Sequence, residues 1–328
     1  MRDPLTSEEI STLIEAGIQN LALPKEPALL YEPMTYILNL GGKRLRPLLV
    51  LMSYNVFKDN PEHIVSPALS VELFHNFSLI HDDIMDKAPV RRGKDTVHIK
   101  WNEDIGILSG DGMLVKAYKM LESVHSSYLP AVFTAFNKTA LEVCEGQQYD
   151  MDFESRSLSH NQVTEAEYLN MIRLKTSVLF GLSLQLGALL AGAERSDSDA
   201  LYEAGVHMGL AFQLQDDLLD LYGGDKFGKI PGGDIINAKK TFMLVKTLEL
   251  ASTHDAEDIV ATIESSTMSS AEKIAKIEMF YNQYGIPQLV QNEINLHLKN
   301  FKDSLISINS SRSAGLIELV LNLANRTV

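Results

Sequence analysis

The chain has 328 residues, 45% hydrophobic and 22% charged, enough for one large globular domain or two medium ones. A formal net charge of -14 excludes bulk attraction to nucleic acid or to an anionic membrane, so an anionic substrate needs metal ions or a local basic cluster. The single cysteine, Cys144, excludes an intrachain disulfide and fits a reducing, cytoplasmic compartment; Cys144 itself reads as a small core residue.

The elements in chain order are almost all helical. No apolar signal segment follows Met1. Thr6-Ser7-Glu8-Glu9 has the pattern of a capping box and opens a first helix. Pro24 and Pro27 separate it from the next segment, and Pro47 stands just inside an apolar helix running to about Phe57. A helix through 68–86 follows, then a polar, basic loop over 87–100. Helical periodicity returns over 104–122 and 129–153, with a polar loop over 155–163. Helices are predicted over 164–193 and 197–222. The first contains Val178–Ala193, apolar but short of the roughly 20 residues of a membrane span, and so a buried core helix. The glycine-rich stretch 223–234 must be irregular, and 238–328 is again helical. No segment shows sustained period-2 alternation, so the chain is predicted to be one all-α domain, 1–328, of ten or so helices.

Two aspartate clusters carry the chemistry: Asp82-Asp83-Ile84-Met85-Asp86 and Asp216-Asp217-Leu218-Leu219-Asp220. Both read D-D-x-x-D and both sit in apolar surroundings, where unneutralised carboxylates are costly. On a helix, residues i and i+4 share a face, so Asp82 pairs with Asp86 and Asp216 with Asp220. Such oxygen pairs suit Mg²⁺, which keeps several waters and shares its shell with substrate phosphates. Two such faces opposed across a cavity would make a Mg²⁺-diphosphate site.

Basic elements complement the acidic ones. Gly41-Gly42-Lys43-Arg44-Leu45-Arg46-Pro47 sets three cations beside two glycines, where backbone and cation can both approach a phosphate. Arg91-Arg92 follows the first cluster, Lys175-Thr176 interrupts an apolar helix, and Lys229 and Lys239-Lys240 flank the glycine-rich stretch. Singly each has a bland reading, as a solvated charged face or a helix end reaching water; in this order the bland readings lose ground.

With Glu72-Leu73-Phe74-His75, Gly146-Gln147 and Phe212-Gln213-Leu214-Gln215 added, the chain resembles the all-trans isoprenyl (polyprenyl) diphosphate synthases of the short-chain, farnesyl or geranylgeranyl type. The resemblance implies a single bundle of antiparallel helices around a central active-site cavity, usually in a homodimer. It implies that Asp82, Asp83, Asp86, Asp216, Asp217 and Asp220 bind Mg²⁺, three ions in all, with the allylic diphosphate. Arg91, Lys175 and Lys239 would touch that diphosphate, and Lys229 would close over it. Gly42, Lys43, Arg46, His75 and Arg92 would hold isopentenyl diphosphate. Thr176 and Gln213 would set oxygen dipoles near the allylic carbon, and Gln147 and Asp150 would line the same cavity.

The implied reaction is head-to-tail condensation of isopentenyl diphosphate with dimethylallyl, geranyl or farnesyl diphosphate, with no nucleic acid or membrane span involved. Phe77, five residues before Asp82, and Phe74, eight before, would form the floor that limits product length. Farnesyl-specific members of the family that the chain resembles add a second aromatic four before the motif or two residues within it; here Ser78 is small and DDIMD is uninterrupted, so the resemblance implies a C20 rather than a C15 product. The rival readings are a terpene cyclase, disfavoured by the complete second motif and the second basic site, and a non-catalytic subunit of a heteromeric synthase.

Overall fold

The first helix, α1 (Ser7–Gln19), begins at the predicted capping box. The Glu9 N–H donates to Thr6 Oγ1 at 3.2 Å and the Thr6 N–H donates to a Glu9 carboxylate oxygen at 2.8 Å, so two of the helix's orphan donors are satisfied. The computed structural model of the chain describes residues 4–159, 162–223, 232–306, 308 and 311–324. After α1 come α2 (Ala28–Asn39), α3 (Leu45–Phe57) and α4 (Val65–Met85). Two short strands, β1 (Val90–Arg91) and β2 (Lys94–Asp95), precede α5 (Val97–Lys100), α6 (Glu103–Met120) and α7 (Leu129–Ser155). The chain continues through α8 (Glu165–Ile172), α9 (Val178–Ala191), α10 (Arg195–Tyr222) and α11 (Gly233–Ile236). It ends with α12 (Phe242–Leu250), α13 (Thr253–Glu264), α14 (Ser270–Gln283), α15 (Ile286–Ile306) and α16 (Ala314–Ala324).

These elements form two compact units. The first comprises Met1–Phe136, Ser183–Asp199 and Asn309–Leu316; the second comprises Asn137–Leu182, Ala200–Ile308 and Ile317–Val328. In the first, α4 packs along α6 and against α3, around fully buried Leu49, Leu51, Leu73 and Phe74. The approach of α4 to α6 depends on two glycines one turn apart. A Cβ at Gly110 would lie 2.3 Å from His81 Nε2, and one at Gly106 2.9 Å from Ile84 Cδ1. In the second unit, α12 packs on α8 and α15, and the core holds Tyr168, Leu214, Phe242, Phe280 and Val290. Each such side chain contributes roughly 1.5–3 kcal/mol by leaving water.

Three sequence expectations need correction. The stretch 87–100 is not a plain loop: Val90 pairs with Asp95 and Arg91 with Lys94 in an antiparallel hairpin. Its two turn residues, Arg92 (φ 53°) and Gly93 (φ 74°), are both left-handed, as the tight turns that match strand twist require. The helix over 164–193 is interrupted by a π-helical turn, Arg173–Ser177, in the segment that holds Lys175 and Thr176. Cys144 is exposed on α7 rather than in the core. The stretch Glu165–Ala191 has the length and apolarity of a membrane-crossing helix, yet 78% of its most apolar window is buried inside the protein.

Candidate active site

Helix α4 delivers the first aspartate cluster at its C-terminal end, with Asp86 as the C-cap and its N–H donating to the Asp82 carbonyl at 2.8 Å. Carboxylates at a helix C-terminus meet carbonyl dipoles of their own sign, so a cation there is favoured. The three aspartates divide the work. Asp83 is buried, and Arg91 Nε and an Arg91 terminal nitrogen each donate to one of its oxygens at 2.8 Å. Asp82 is half-buried and Asp86 is exposed.

The basic loop before α3 divides in the same way. Arg44 takes a left-handed backbone (φ 45°) at the helix N-cap, which turns its side chain inward. Its guanidinium meets Glu72 at 2.7 Å, the Leu38 carbonyl, and Glu15 at 3.4 Å, while Asn76 Nδ2 donates to the same Glu72 carboxylate at 2.9 Å. Arg44, buried and paired with Glu72, therefore belongs to the core. Arg92 donates to the Gly41 carbonyl, and its guanidinium lies 3.0 Å from where a Gly42 Cβ would stand. Glycine at 42, with φ 133°, is what lets the arginine lie against that backbone.

His75, on α4, is held well below the usual histidine range, first by burial and then by Arg46, Arg92, Arg91 and Arg44. Burial and the surrounding arginines favour its neutral form. Arg46 is lowered to about 10, mainly by burial, with Glu72 opposing the shift and Arg92 adding to it; it remains a cation at neutral pH. Gly42, Arg46, His75 and Arg92 are thus brought together in one unit, with Lys43 exposed beside them.

In the second unit a cavity of about 200 Å³ is lined by Asp150, Lys175, Thr176, Gln213, Asp217 and Lys239 among others. The π turn explains how Lys175 and Thr176 reach it. A Cβ at Gly146 would lie 2.2 Å from the Lys175 backbone nitrogen, so α7 meets that turn backbone to backbone, which no larger residue permits. Such turns recur at functional sites because they displace side chains from the helical register. Lys175 Nζ pairs with Asp150 at 2.5 Å, and Thr176 Oγ1 donates to Gln213 Oε1 at 3.4 Å. Lys239 is exposed at the rim, whereas Gln147 is buried on α7. Lys229 lies outside the described residues.

The second aspartate cluster repeats the division of the first. Asp217 is buried, with Tyr168 donating to one oxygen and Gln213 Nε2 donating to the other at 3.1 Å. Burial raises its pKa to about 7, with Tyr168 and Gln213 opposing the rise and Asp234 and Asp216 adding to it. Asp216 and Asp220 are half-buried, and Asp220 accepts the Asp234 N–H at 2.9 Å. Tyr168 lies outside every motif read from the sequence, and its part at the site left no signal there; Arg44, Glu72 and Asp234 stand within or beside the motifs, but the sequence does not tell that Arg44 pairs with Glu72 or that Asp234 meets Asp220.

Among the described residues no three or more His, Cys, Asp or Glu side chains are arranged to enclose a metal ion. Each motif instead offers an outer pair of carboxylates one turn apart, while its middle aspartate is held by internal donors. That all-oxygen donor set fits Mg²⁺, whose shell is completed by water and phosphate oxygens. Phe77 and Phe74, the residues expected to form the floor, sit further up α4. Phe77 is half-buried, its ring 5.5 Å from Phe74 and 4.8 Å from His81, and Phe74 is buried against Phe136 at 5.7 Å.

The profile of the polyprenyl synthetase family matches residues 27–281. The geranylgeranyl diphosphate synthase of Methanosarcina mazei is 40% identical over 242 residues, covering 73% of this chain and 74% of that protein. A crystal structure of a geranylgeranyl pyrophosphate synthase superposes with a TM-score of 0.91 at 39% identity, over 99% of this chain and 100% of that one. A polyprenyl synthase from Caulobacter crescentus, solved with calcium and isoprenyl diphosphate, superposes with a TM-score of 0.84 at 26% identity over the whole of both chains. The all-α fold is the isoprenoid synthase fold, and the chain belongs to the polyprenyl synthetase family as a short-chain, all-trans isoprenyl diphosphate synthase.

Proposed function

We propose that the protein condenses isopentenyl diphosphate head-to-tail with an allylic diphosphate and releases diphosphate, with geranylgeranyl diphosphate (C20) as its main product. The observation that carries this reading is the repeated pattern of the motifs: Asp83 and Asp217 are buried and held by internal donors, while Asp82, Asp86, Asp216 and Asp220 are half-buried or exposed. Mg²⁺ held by the two outer pairs, three ions in all, would neutralise the charge that develops on the leaving diphosphate.

The chain's own groups do the rest. Lys175 and Lys239 meet the allylic diphosphate beside Asp150, and the allylic C1–O bond breaks to leave a delocalised cation. Thr176 Oγ1 and Gln213 Oε1 turn oxygen dipoles toward that carbon. Lys43, Arg46, Arg92 and neutral His75 hold isopentenyl diphosphate, whose double bond attacks the cation; a proton then leaves to the departing diphosphate. Apolar side chains around the tail keep water from the cation.

The C20 assignment rests on Phe77 and small Ser78 on α4, and on relatives named geranylgeranyl diphosphate synthase. A homodimer is supported by the exposed apolar side chains of α6: Ile107, Leu108 (60% exposed) and Val115 (67%). Incubation of the protein with Mg²⁺, isopentenyl diphosphate and each of dimethylallyl, geranyl and farnesyl diphosphate tests the reading. Linear C20 diphosphate from all three supports it; a cyclised olefin or no elongation refutes it.

A further inference from the structure

Tyr168 takes no part in the reaction as derived above, yet its hydroxyl reaches the second aspartate motif. It is buried on α8, with its ring against Phe242 at 6.4 Å, and it donates to Asp217 Oδ2. Gln213, one turn before Asp217 on α10, donates to Oδ1 at 3.1 Å. The orientation of that amide is set in turn, because its Oε1 accepts from Thr176 Oγ1 at 3.4 Å. Asp217 thus has a donor on each oxygen, one from a neighbouring helix and one from its own.

Asp216 and Asp220 project from α10 about 100° and 300° of helical rotation away from Asp217, so the direction of one carboxylate fixes the aim of the other two. We propose that Tyr168 is a positioning residue: by holding Asp217 it sets the roll of α10 at the motif and aims the Asp216–Asp220 pair. The first motif has the same arrangement, with Arg91 on Asp83 in the role that Tyr168 has on Asp217. The bland alternative is that the hydroxyl only satisfies a buried carboxylate and contributes to stability alone.

The inference rests on the reading of Asp216 and Asp220 as magnesium ligands, and a binding measurement separates the two. Calorimetry of the full chain with Mg²⁺ and inorganic diphosphate, without an allylic substrate, is the probe. Tyr168→Phe should weaken Mg²⁺-dependent diphosphate binding about tenfold, the loss of one hydrogen bond to a charged group. Added to Asp217→Asn, it should produce no further weakening, because Tyr168 acts through that carboxylate. Wild-type binding by Tyr168→Phe with only a lower melting temperature overturns the inference and leaves the magnesium reading intact. Wild-type protein that binds no Mg²⁺ with diphosphate overturns both. If Tyr168→Phe does not fold, Tyr168→Met removes the same hydroxyl with a more adaptable side chain, and unchanged Mg²⁺-dependent binding by that variant overturns the inference equally.

Discussion

Arg91 grips Asp83 through both carboxylate oxygens at 2.8 Å, and Asp83 is almost completely buried. An arginine in the position expected to meet substrate is therefore already engaged with the first aspartate motif. Its planar fork suits a bidentate carboxylate, and the hairpin turn at Arg92-Gly93 aims it back at α4.

Removing Arg91 should destabilise the fold before it affects substrate binding. Arg91→Met leaves Asp83 buried and uncompensated, at roughly 3–5 kcal/mol. Thermal melts beside steady-state kinetics check this: an unchanged melting temperature with a raised KM for the allylic substrate would mean that Arg91 serves the phosphate alone.

Much of this site is legible in the sequence because its chemistry demands unusual residues in fixed order. DDIMD and DDLLD on apolar helices, and the run Gly42-Lys43 to Arg46, have few bland readings once taken together. What escapes is the direction of each side chain. Nothing in DDLLD tells that Asp217 turns inward to Tyr168 while its neighbours do not, because the tyrosine arrives from another helix. Arg44 reads like Lys43 and Arg46 until a left-handed backbone sends it to Glu72. The hairpin after α4 was hidden because its left-handed turn is built on Arg-Gly rather than Asn-Gly. The π turn left only a trace, a charged Lys175 within an apolar run.

The two diphosphate subsites should respond to different substitutions. Lys43→Ala should raise KM for isopentenyl diphosphate roughly 10- to 100-fold, the loss of one charge-assisted hydrogen bond of about 1.5–3 kcal/mol. Lys175→Ala should leave that KM unchanged and impair use of the allylic substrate. Initial-rate kinetics with each substrate varied in turn decides the matter, and equal effects of both variants on both substrates reject the division.

Phe77 and Phe74 touch, at 5.5 Å between ring centres, but differ in burial. Half-buried Phe77→Ala should open the tail channel and shift products to C25 and longer, with modest loss of turnover. Fully packed Phe74→Ala should instead cost roughly 3–5 kcal/mol of stability. Chromatography of the dephosphorylated products, run beside thermal melts, checks both; an unchanged product spectrum with a less stable Phe77→Ala protein places Phe77 in the core.

His75 gives the apo protein a pH signature. Its folded pKa lies well below the ordinary value, so below about pH 6.5 the unfolded chain binds a proton that the folded one refuses. Stability is therefore lost as pH falls through that value and is insensitive to His75 above it. Melting temperatures between pH 5 and 8 should show a shallower acid decline in His75→Gln than in the wild type. Parallel declines in the two proteins would mean that His75 takes up its proton normally in the folded state.

The central claim is that the outer aspartates of both motifs hold Mg²⁺ for the departure of the allylic diphosphate. Single-turnover rates of Asp82→Ala and Asp216→Ala at saturating Mg²⁺ test it most directly, since each variant loses one ligand and with it transition-state stabilisation. Both should fall by several orders of magnitude while melting temperatures stay near that of the wild type. Near-normal turnover by either variant would contradict the assignment of its motif.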